Sequence, residues 1–144
     1  HYVWLRHPLY RDLSHFNYDC KFHNELDRDF ATHLSLMNGN FVVLWLYGKY
    51  CGKHESVSME TRYNYVRKVL KEKFKKVYDS DKFEESWTEL AKELKVSIDP
   101  RQNSNQSDKD YNKIEKFENL SKEFKRWHKK YNNYDYKLFN EFCA

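Results

Sequence analysis

The histidines and the cysteine near the amino terminus are the side chains best suited to bind a metal ion. His15, Cys20 and His23 lie close together in the sequence, and His7 and His33 flank them. A structural zinc ion takes four ligands on a rigid frame, and these spacings match no pairing of the zinc-finger type. Histidines at the edge of a helix are usually ordinary surface or core residues. We therefore predict neither a metal ion nor any other cofactor.

Nucleophilic catalysis by Cys51 is a second possible chemistry, because His54 follows three residues later. A cysteine nucleophile needs an oriented base and an oxyanion hole, and no stretch of the sequence indicates either one. We interpret Cys51 as a structural cysteine. We predict that the chain is not an enzyme and has no small-molecule substrate.

The three cysteines, Cys20, Cys51 and Cys143, are candidate disulfide cysteines. Their number permits one bridge and one free thiol, three reduced thiols, or a bridge to a partner outside this sequence. These alternatives stay open, because an odd number of cysteines does not by itself indicate the redox compartment.

Nucleic-acid binding is a third possibility, because basic residues cluster on two predicted helices. The clusters are Arg67, Lys68, Lys71, Lys73, Lys75 and Lys76, and Lys122, Lys125, Arg126, Lys129 and Lys130. Acidic residues interrupt both clusters, and the net charge of +4 is modest. Mixed charges of this kind are typical of solvated helix faces. We keep a helical nucleic-acid-binding domain as an alternative function.

The composition indicates an all-α protein. The chain has 144 residues with only 3 glycines and 2 prolines, which are few for a β-protein with many tight turns. Charged residues make up 33% of the sequence and are set among regularly spaced apolar positions. We predict a single domain, residues 1–144, built as a bundle of five to seven helices.

The most apolar segment, Phe41–Cys51, should form the centre of this bundle. Its first seven residues are all apolar or aromatic, so other elements must cover it on every side. We predict a buried helix with Trp45, Leu46 and Tyr47 in the core, and removal of the Trp45 ring should cost about 3 to 5 kcal/mol. The segment is far shorter than the roughly 20 residues that span a bilayer, so we predict no membrane span.

Apolar residues at intervals of three and four predict the surrounding helices. Leu70, Trp87 and Trp127 are the expected core residues of three of them. The polar segment 99–110 lacks apolar anchors and is predicted to be a mobile surface loop. The predicted helices are a short one after Pro8, then Cys20–Met37, Met59–Val77, Phe83–Leu94, Tyr111–Tyr131 and a terminal helix from Tyr134.

Two short motifs resemble the Plasmodium interspersed repeat proteins, a family called vir, cir or kir according to host species. Trp45-Leu46-Tyr47, followed by Gly48-Lys49, resembles the Tyr-Trp-Leu-Tyr-Asp-Lys segment of that family. The stretch from Lys130 to Tyr136 is similar to its Lys-x-x-Tyr-Asp-Tyr stretch, and the helix Phe83–Leu94 lies between the two as expected. The chain departs from the family at Asn40, where members usually carry a cysteine.

The resemblance implies the helical extracellular domain of a variant surface antigen, exported to the surface of the infected red cell. Such a domain would bind host proteins for adhesion or immune evasion through variable polar surfaces on a stable helical frame. An alternative is an intracellular helical module of an exported protein, with basic faces that bind acidic cytoskeletal partners. A native disulfide would favour the extracellular location, and three free thiols would favour the intracellular one.

Overall fold

The protein is helical, which confirms the predicted all-α class. The computed structural model describes residues 1–22, 29–52, 56–97 and 116–143. Seven α-helices lie within these ranges: α1 Pro8–Phe22, α2 Phe30–Ser35, α3 Phe41–Cys51, α4 Met59–Lys73, α5 Phe83–Leu94, α6 Lys122–Tyr131 and α7 Asn133–Cys143. Among the described residues, no helix combines the length and the apolar character needed to cross a membrane.

A two-stranded parallel sheet, absent from the prediction, joins the amino terminus to the segment after α4. Strand β1, Tyr2–Leu5, pairs with strand β2, Lys76–Asp79, with Tyr2 opposite Lys76. The predicted continuation of the α4 helix to Val77 is wrong, because the helix ends at Lys73 and Phe74 is extended. The partner strand lies more than 70 residues away in sequence, so local periodicity could not reveal the pairing.

Helix α3 lies against the main apolar core with one of its faces. Val43, Leu46 and Tyr47 recur at helical spacing and are at most 7% exposed. They pack with a core that also contains residues of β1, α4 and α7, namely Leu5, Val66, Leu70, Leu138 and Phe139. Leu70, predicted as a core residue, is 2% exposed. The helical state of the central run is therefore as predicted.

The prediction that α3 is covered on every side is wrong. Trp45 is 53% exposed and Phe41, one turn earlier, is 47% exposed. The apolar run supplies no polar residue to mark an outer face, so periodicity could not distinguish the covered side from the open one. The core prediction is also wrong for Trp127, which is 36% exposed, while Trp87 is half-buried.

A second apolar cluster joins α1 to α2. The predicted single helix Cys20–Met37 is replaced by α1, which continues to Phe22, and by α2, which begins at Phe30. Asp29 caps α2, because its side chain accepts a hydrogen bond from the Thr32 backbone N–H at 2.8 Å. The cluster contains Leu9, Leu13, Phe16, Phe30 and Leu34.

Helix α6 begins later than predicted. Its first residue is Lys122, and the side chain of Ser121 caps it by accepting from the Phe124 N–H at 3.1 Å. A short 3-10 turn, Phe117–Asn119, precedes the cap. The start of the predicted helix at Tyr111 and the predicted loop 99–110 lie outside the described residues.

Candidate functional site

Two aromatic rings on the exposed side of α3 each lie beside a cation, one from α1 and one from α3 itself. The Arg11 guanidinium carbon lies 5.0 Å from the centre of the Phe41 ring, and Lys49 Nζ lies 5.0 Å from the centre of the Trp45 ring. We call these four residues the aromatic face. Large exposed rings beside cations are enriched at the energetic centres of protein interfaces. The arrangement can hold a partner by apolar contact and by charge, and it contains no group poised for bond chemistry.

The amino end of α3 is fixed by side chains from α7. Asn40, the N-cap, has a left-handed backbone with φ of 59° and makes no cap hydrogen bond to its own helix. The carboxylate of Asp135 takes that role by accepting the backbone N–H groups of Val42 and Val43, each at 2.9 Å. These bonds satisfy orphan donors at a helix start.

The capping is reciprocal. The Asn40 side-chain oxygen accepts the backbone N–H groups of Tyr134 and Asp135 at 2.9 and 3.1 Å, so α3 caps the start of α7. Asn132, 3% exposed, accepts the Asn40 N–H with its side-chain oxygen at 3.0 Å. Neither helix can therefore rotate about its axis without breaking the cap of the other.

Arg11 connects this capping to α1 and to the aromatic face. Its guanidinium donates to Asp135 at 3.1 Å and to Asp12 at 2.7 Å, and it also lies over the Phe41 ring. Burial raises the pKa of Asp135, while Arg11 and the two backbone N–H groups of α3 act in the opposite direction. Both effects are expected for a carboxylate whose side chain is 1% exposed and fully hydrogen-bonded.

A histidine completes the network below the aromatic face. His128 is fully buried, and its Nε2 lies 2.7 Å from Asp12 while its Nδ1 lies 2.9 Å from the Tyr136 hydroxyl. Burial would raise the pKa of Asp12, but the His128 hydrogen bond and Arg11 outweigh it and the pKa is lowered. Burial raises the pKa of Tyr136.

This Asp-His-Tyr chain has the residue types of an acid–base relay but lacks access. A general base must come within hydrogen-bond reach of a substrate, and His128 has 0% exposure. We call the whole hydrogen-bonded network the polar junction, and we interpret its role as structural. Its members come from α1, α6, α7 and the two segments that lead into α3 and α7: Arg11, Asp12, Asn40, His128, Asn132, Asp135 and Tyr136.

Comparison of the chain with protein-family models, curated proteins and solved structures found no match. Function must therefore be inferred from the residues of the aromatic face and from the other candidate groups.

Of the three cysteines, Cys143 is the one whose surroundings make it a poor nucleophile. Cys20, Cys51 and Cys143 form no disulfide with one another, and all three are half-buried. Burial raises the pKa of Cys143 to about 12, and its Sγ donates to the Tyr78 carbonyl at 3.6 Å. A thiol with so high a pKa is protonated at neutral pH and unreactive. His54, the predicted companion of Cys51, lies outside the described residues.

The predicted histidine group separates into two places. His7 packs against the rings of Tyr136 and Phe139, whereas His15 and His33 come together with Asp19. Sequence reasoning omitted Asp19, although its position four residues after His15 places both on one face of α1. Cys20 does not belong to that group, and His23 lies outside the described residues.

The two basic clusters differ in how they are neutralised. In the first cluster, Arg67 and Lys71 on α4 both bind the Glu141 carboxylate, at 2.7 and 3.0 Å. Lys75 and Lys76, which follow the helix, pair with Glu93 and Glu89. This agrees with the interpretation of a solvated face. On α6, Lys122, Arg126, Lys129 and Lys130 are exposed and form no ion pair within the described residues.

Proposed function

We propose that the chain is a non-enzymatic protein-binding domain and that the aromatic face of α3 is its contact surface. The observation that carries the proposal is the exposure of Trp45 and Phe41 on a helix whose opposite side is anchored in the core. Two large rings in water are unfavourable in isolation and contribute binding energy when a partner covers them. The polar junction holds this surface rigid, which lowers the entropy lost on binding.

The charge of the face indicates the chemistry of the partner. Lys49 lies over the Trp45 ring, whereas Arg11 is already paired with Asp12 and Asp135. A complementary surface would therefore offer an apolar pocket with an acidic residue near Lys49. Following the family resemblance, we assign that surface to a host protein. The chain would then be a variant surface antigen domain of a malaria parasite, displayed on the infected red cell for adhesion or immune evasion.

Binding of the folded chain to a panel of purified host cell-surface ectodomains tests the proposal. We expect at least one ectodomain to bind the wild type and to lose at least tenfold in affinity against Trp45→Ala. Trp127→Ala is the matched control, because it removes another exposed tryptophan on a different helix. A panel with no binder, or binders that tolerate Trp45→Ala, would contradict the assignment.

The basic residues of α6, which form no ion pair with any residue that the structure describes, favour a second candidate, an intracellular module that binds acidic partners. Trp127 lies among them, and a stripe of basic and aromatic residues could contact acidic cytoskeletal proteins or, in a third candidate, single-stranded nucleic acid. Arg126→Glu with Lys130→Glu should abolish either interaction and leave binding at α3 unchanged. Absence of nucleic-acid binding at low salt would remove the third candidate, and native mass spectrometry of the cysteines would distinguish the two cellular locations.

A further inference from the structure

Three potential metal ligands from α1 and α2 meet at the amino-terminal end of the molecule. A ring nitrogen of His15, a carboxylate oxygen of Asp19 and a ring nitrogen of His33 all lie within 4.8 Å of one another. From this geometry we propose that His15, Asp19 and His33 form a binding site for a divalent transition metal ion of the zinc type. The site is separate from the aromatic face and does not depend on the proposed function.

The donor set fits such an ion. Imidazole nitrogen and carboxylate oxygen are ordinary zinc ligands, and catalytic zinc sites commonly have three protein ligands of these types with a water molecule as the fourth. His15 and Asp19 lie one turn apart on α1, with 3.6 Å between Nε2 and Oδ2. A tetrahedral ion at ordinary bond lengths separates its ligand atoms by about 3.3 Å. The two ligands on α1 are therefore close to the spacing that an ion requires, and the separations to His33, at most 4.8 Å, shorten when the exposed His15 and Asp19 side chains rotate toward it.

The third ligand is held in place by its surroundings. His33 is 5% exposed, and its ring lies 5.2 Å from that of Phe16, measured between centroids. Phe16 belongs to the apolar cluster between α1 and α2, so the packing that joins the two helices also aims His33 toward α1. A ligand with a fixed position loses little entropy when the ion binds.

The outer part of the site is open to solvent. The His15 side chain is 56% exposed and that of Asp19 is 21% exposed. An ion can therefore enter from water, and a water molecule can complete its coordination shell. The site therefore combines one buried ligand on α2 with two ligands on α1 that solvent can reach.

Metal binding would connect two helices that are separate in sequence. Helix α1 ends at Phe22 and α2 begins at Phe30, and an ion bound by both adds a link between them. Because the site needs the folded arrangement of α1 and α2, binding should raise the free energy of unfolding. The chain would then show a melting temperature that increases with metal concentration.

Titration of the folded full chain with Zn²⁺, followed by calorimetry, tests the site directly. We expect one ion per chain, and a loss of at least tenfold in affinity for His15→Ala and for Asp19→Asn. Co²⁺ substitution should give the visible absorption of a low-coordinate site without a thiolate charge-transfer band. His1→Ala and Cys20→Ser are the controls and should bind Zn²⁺ as the wild type does.

These variants keep the test independent of folding. His15 is half-exposed and Asp19 lies at the surface of α1, so neither substitution should alter the helical circular dichroism spectrum. Failure to bind one Zn²⁺ tighter than about 100 μM would overturn the proposal, as would binding that survives His15→Ala. Loss of binding in His1→Ala or Cys20→Ser would overturn it too, because the ion would then bind elsewhere.

Discussion

The two faces of α3 differ in exposure although their sequence is equally apolar. On the inner face Val43 is completely buried and Leu46 is 2% exposed, whereas Phe41 and Trp45 on the outer face are about half exposed. The difference arises from what surrounds the helix: α4 and α7 pack against one side, whereas the rings on the other side lie beside the side chains of Arg11 and Lys49 and stay about half exposed. Both faces are apolar enough to lie in the core, and the packing of the neighbouring helices determines which face is buried.

The polar junction determines which face of α3 is buried. Its hydrogen bonds join the amino ends of α3 and α7 and fix the rotation of α3 about its own axis. Without a fixed rotation, an apolar helix could bury Trp45 in place of Tyr47 at little cost. Buried polar networks have been found to specify a unique packing in this way in some proteins.

Asp135→Ala should cause the largest loss of unfolding free energy, because Asp135 holds the amino end of α3. The change removes the cap of α3 and one partner of Arg11, and loss of one member of a buried ion pair costs about 3 to 5 kcal/mol. Asp135→Asn should cost less, because one oxygen remains to accept a backbone N–H. Urea unfolding of both variants measures the difference, and equal stability of Asp135→Ala and wild type would show that the junction does not hold α3.

Leu46→Ala should cause the next largest loss of unfolding free energy, because it leaves a cavity on the inner face of α3. A buried leucine shortened to alanine costs about 2 to 5 kcal/mol. Leu44→Ala is the matched control, since Leu44 is half-buried on the same helix and should cost distinctly less. Urea denaturation would contradict the assignment of the inner face if the two losses were alike.

Gly39→Ala tests the close approach between the segment before α3 and the end of α6. A Cβ at position 39 would lie 2.4 Å from the Tyr131 carbonyl oxygen, so something must shift. We expect a loss of about 1 to 3 kcal/mol. Gly48→Ala, which meets no atom within 4 Å, should instead stabilise α3 by about 0.5 to 1 kcal/mol. Thermal unfolding of both variants would contradict this geometry if their effects had the same sign.

His7 should make stability depend on pH through its contact with α7. Burial lowers its pKa, while Asp81 and Asp79 act to raise it and His128 acts to lower it further. Between the lowered pKa of the folded chain and the ordinary pKa of about 6.5, the unfolded chain therefore binds more protons than the folded chain. The free energy of unfolding should fall as pH decreases through 6.5 and level off below the folded pKa.

The difference in unfolding free energy between wild type and His7→Phe, measured from pH 8 to pH 5, isolates this contribution. The variant should lose part of the pH dependence of the wild type. A wild type and a His7→Phe variant with parallel pH profiles would show that His7 titrates normally.

Local signals predicted much of the helical fold. The central run forms a helix and Leu70 lies in the core, both as predicted. Ser58, a residue type that favours helix starts, caps α4 by accepting the Thr61 N–H at 3.1 Å. The parallel pairing of β1 with β2 could not be predicted, because each strand has only four residues and its partner is distant in sequence.

The candidate sites were harder to predict for the same reason. The aromatic face depends on which side of α3 is covered, and the polar junction depends on Asn40 and Asp135 meeting across 95 residues. Only the pair His15 and Asp19 carries a local signal, their spacing of one helical turn. Its third member, His33, comes from another helix and is positioned by tertiary packing.

The unfolding free energy of Trp45→Ala, compared with that of Leu46→Ala, tests the central claim most directly. If Trp45 belongs to an exposed binding face, its removal should cost about 1 kcal/mol or less, far below the cost of removing its neighbour Leu46. A loss of about 3 kcal/mol or more for Trp45→Ala would show that the ring is part of the core, and the outer face of α3 would then not be a recognition surface.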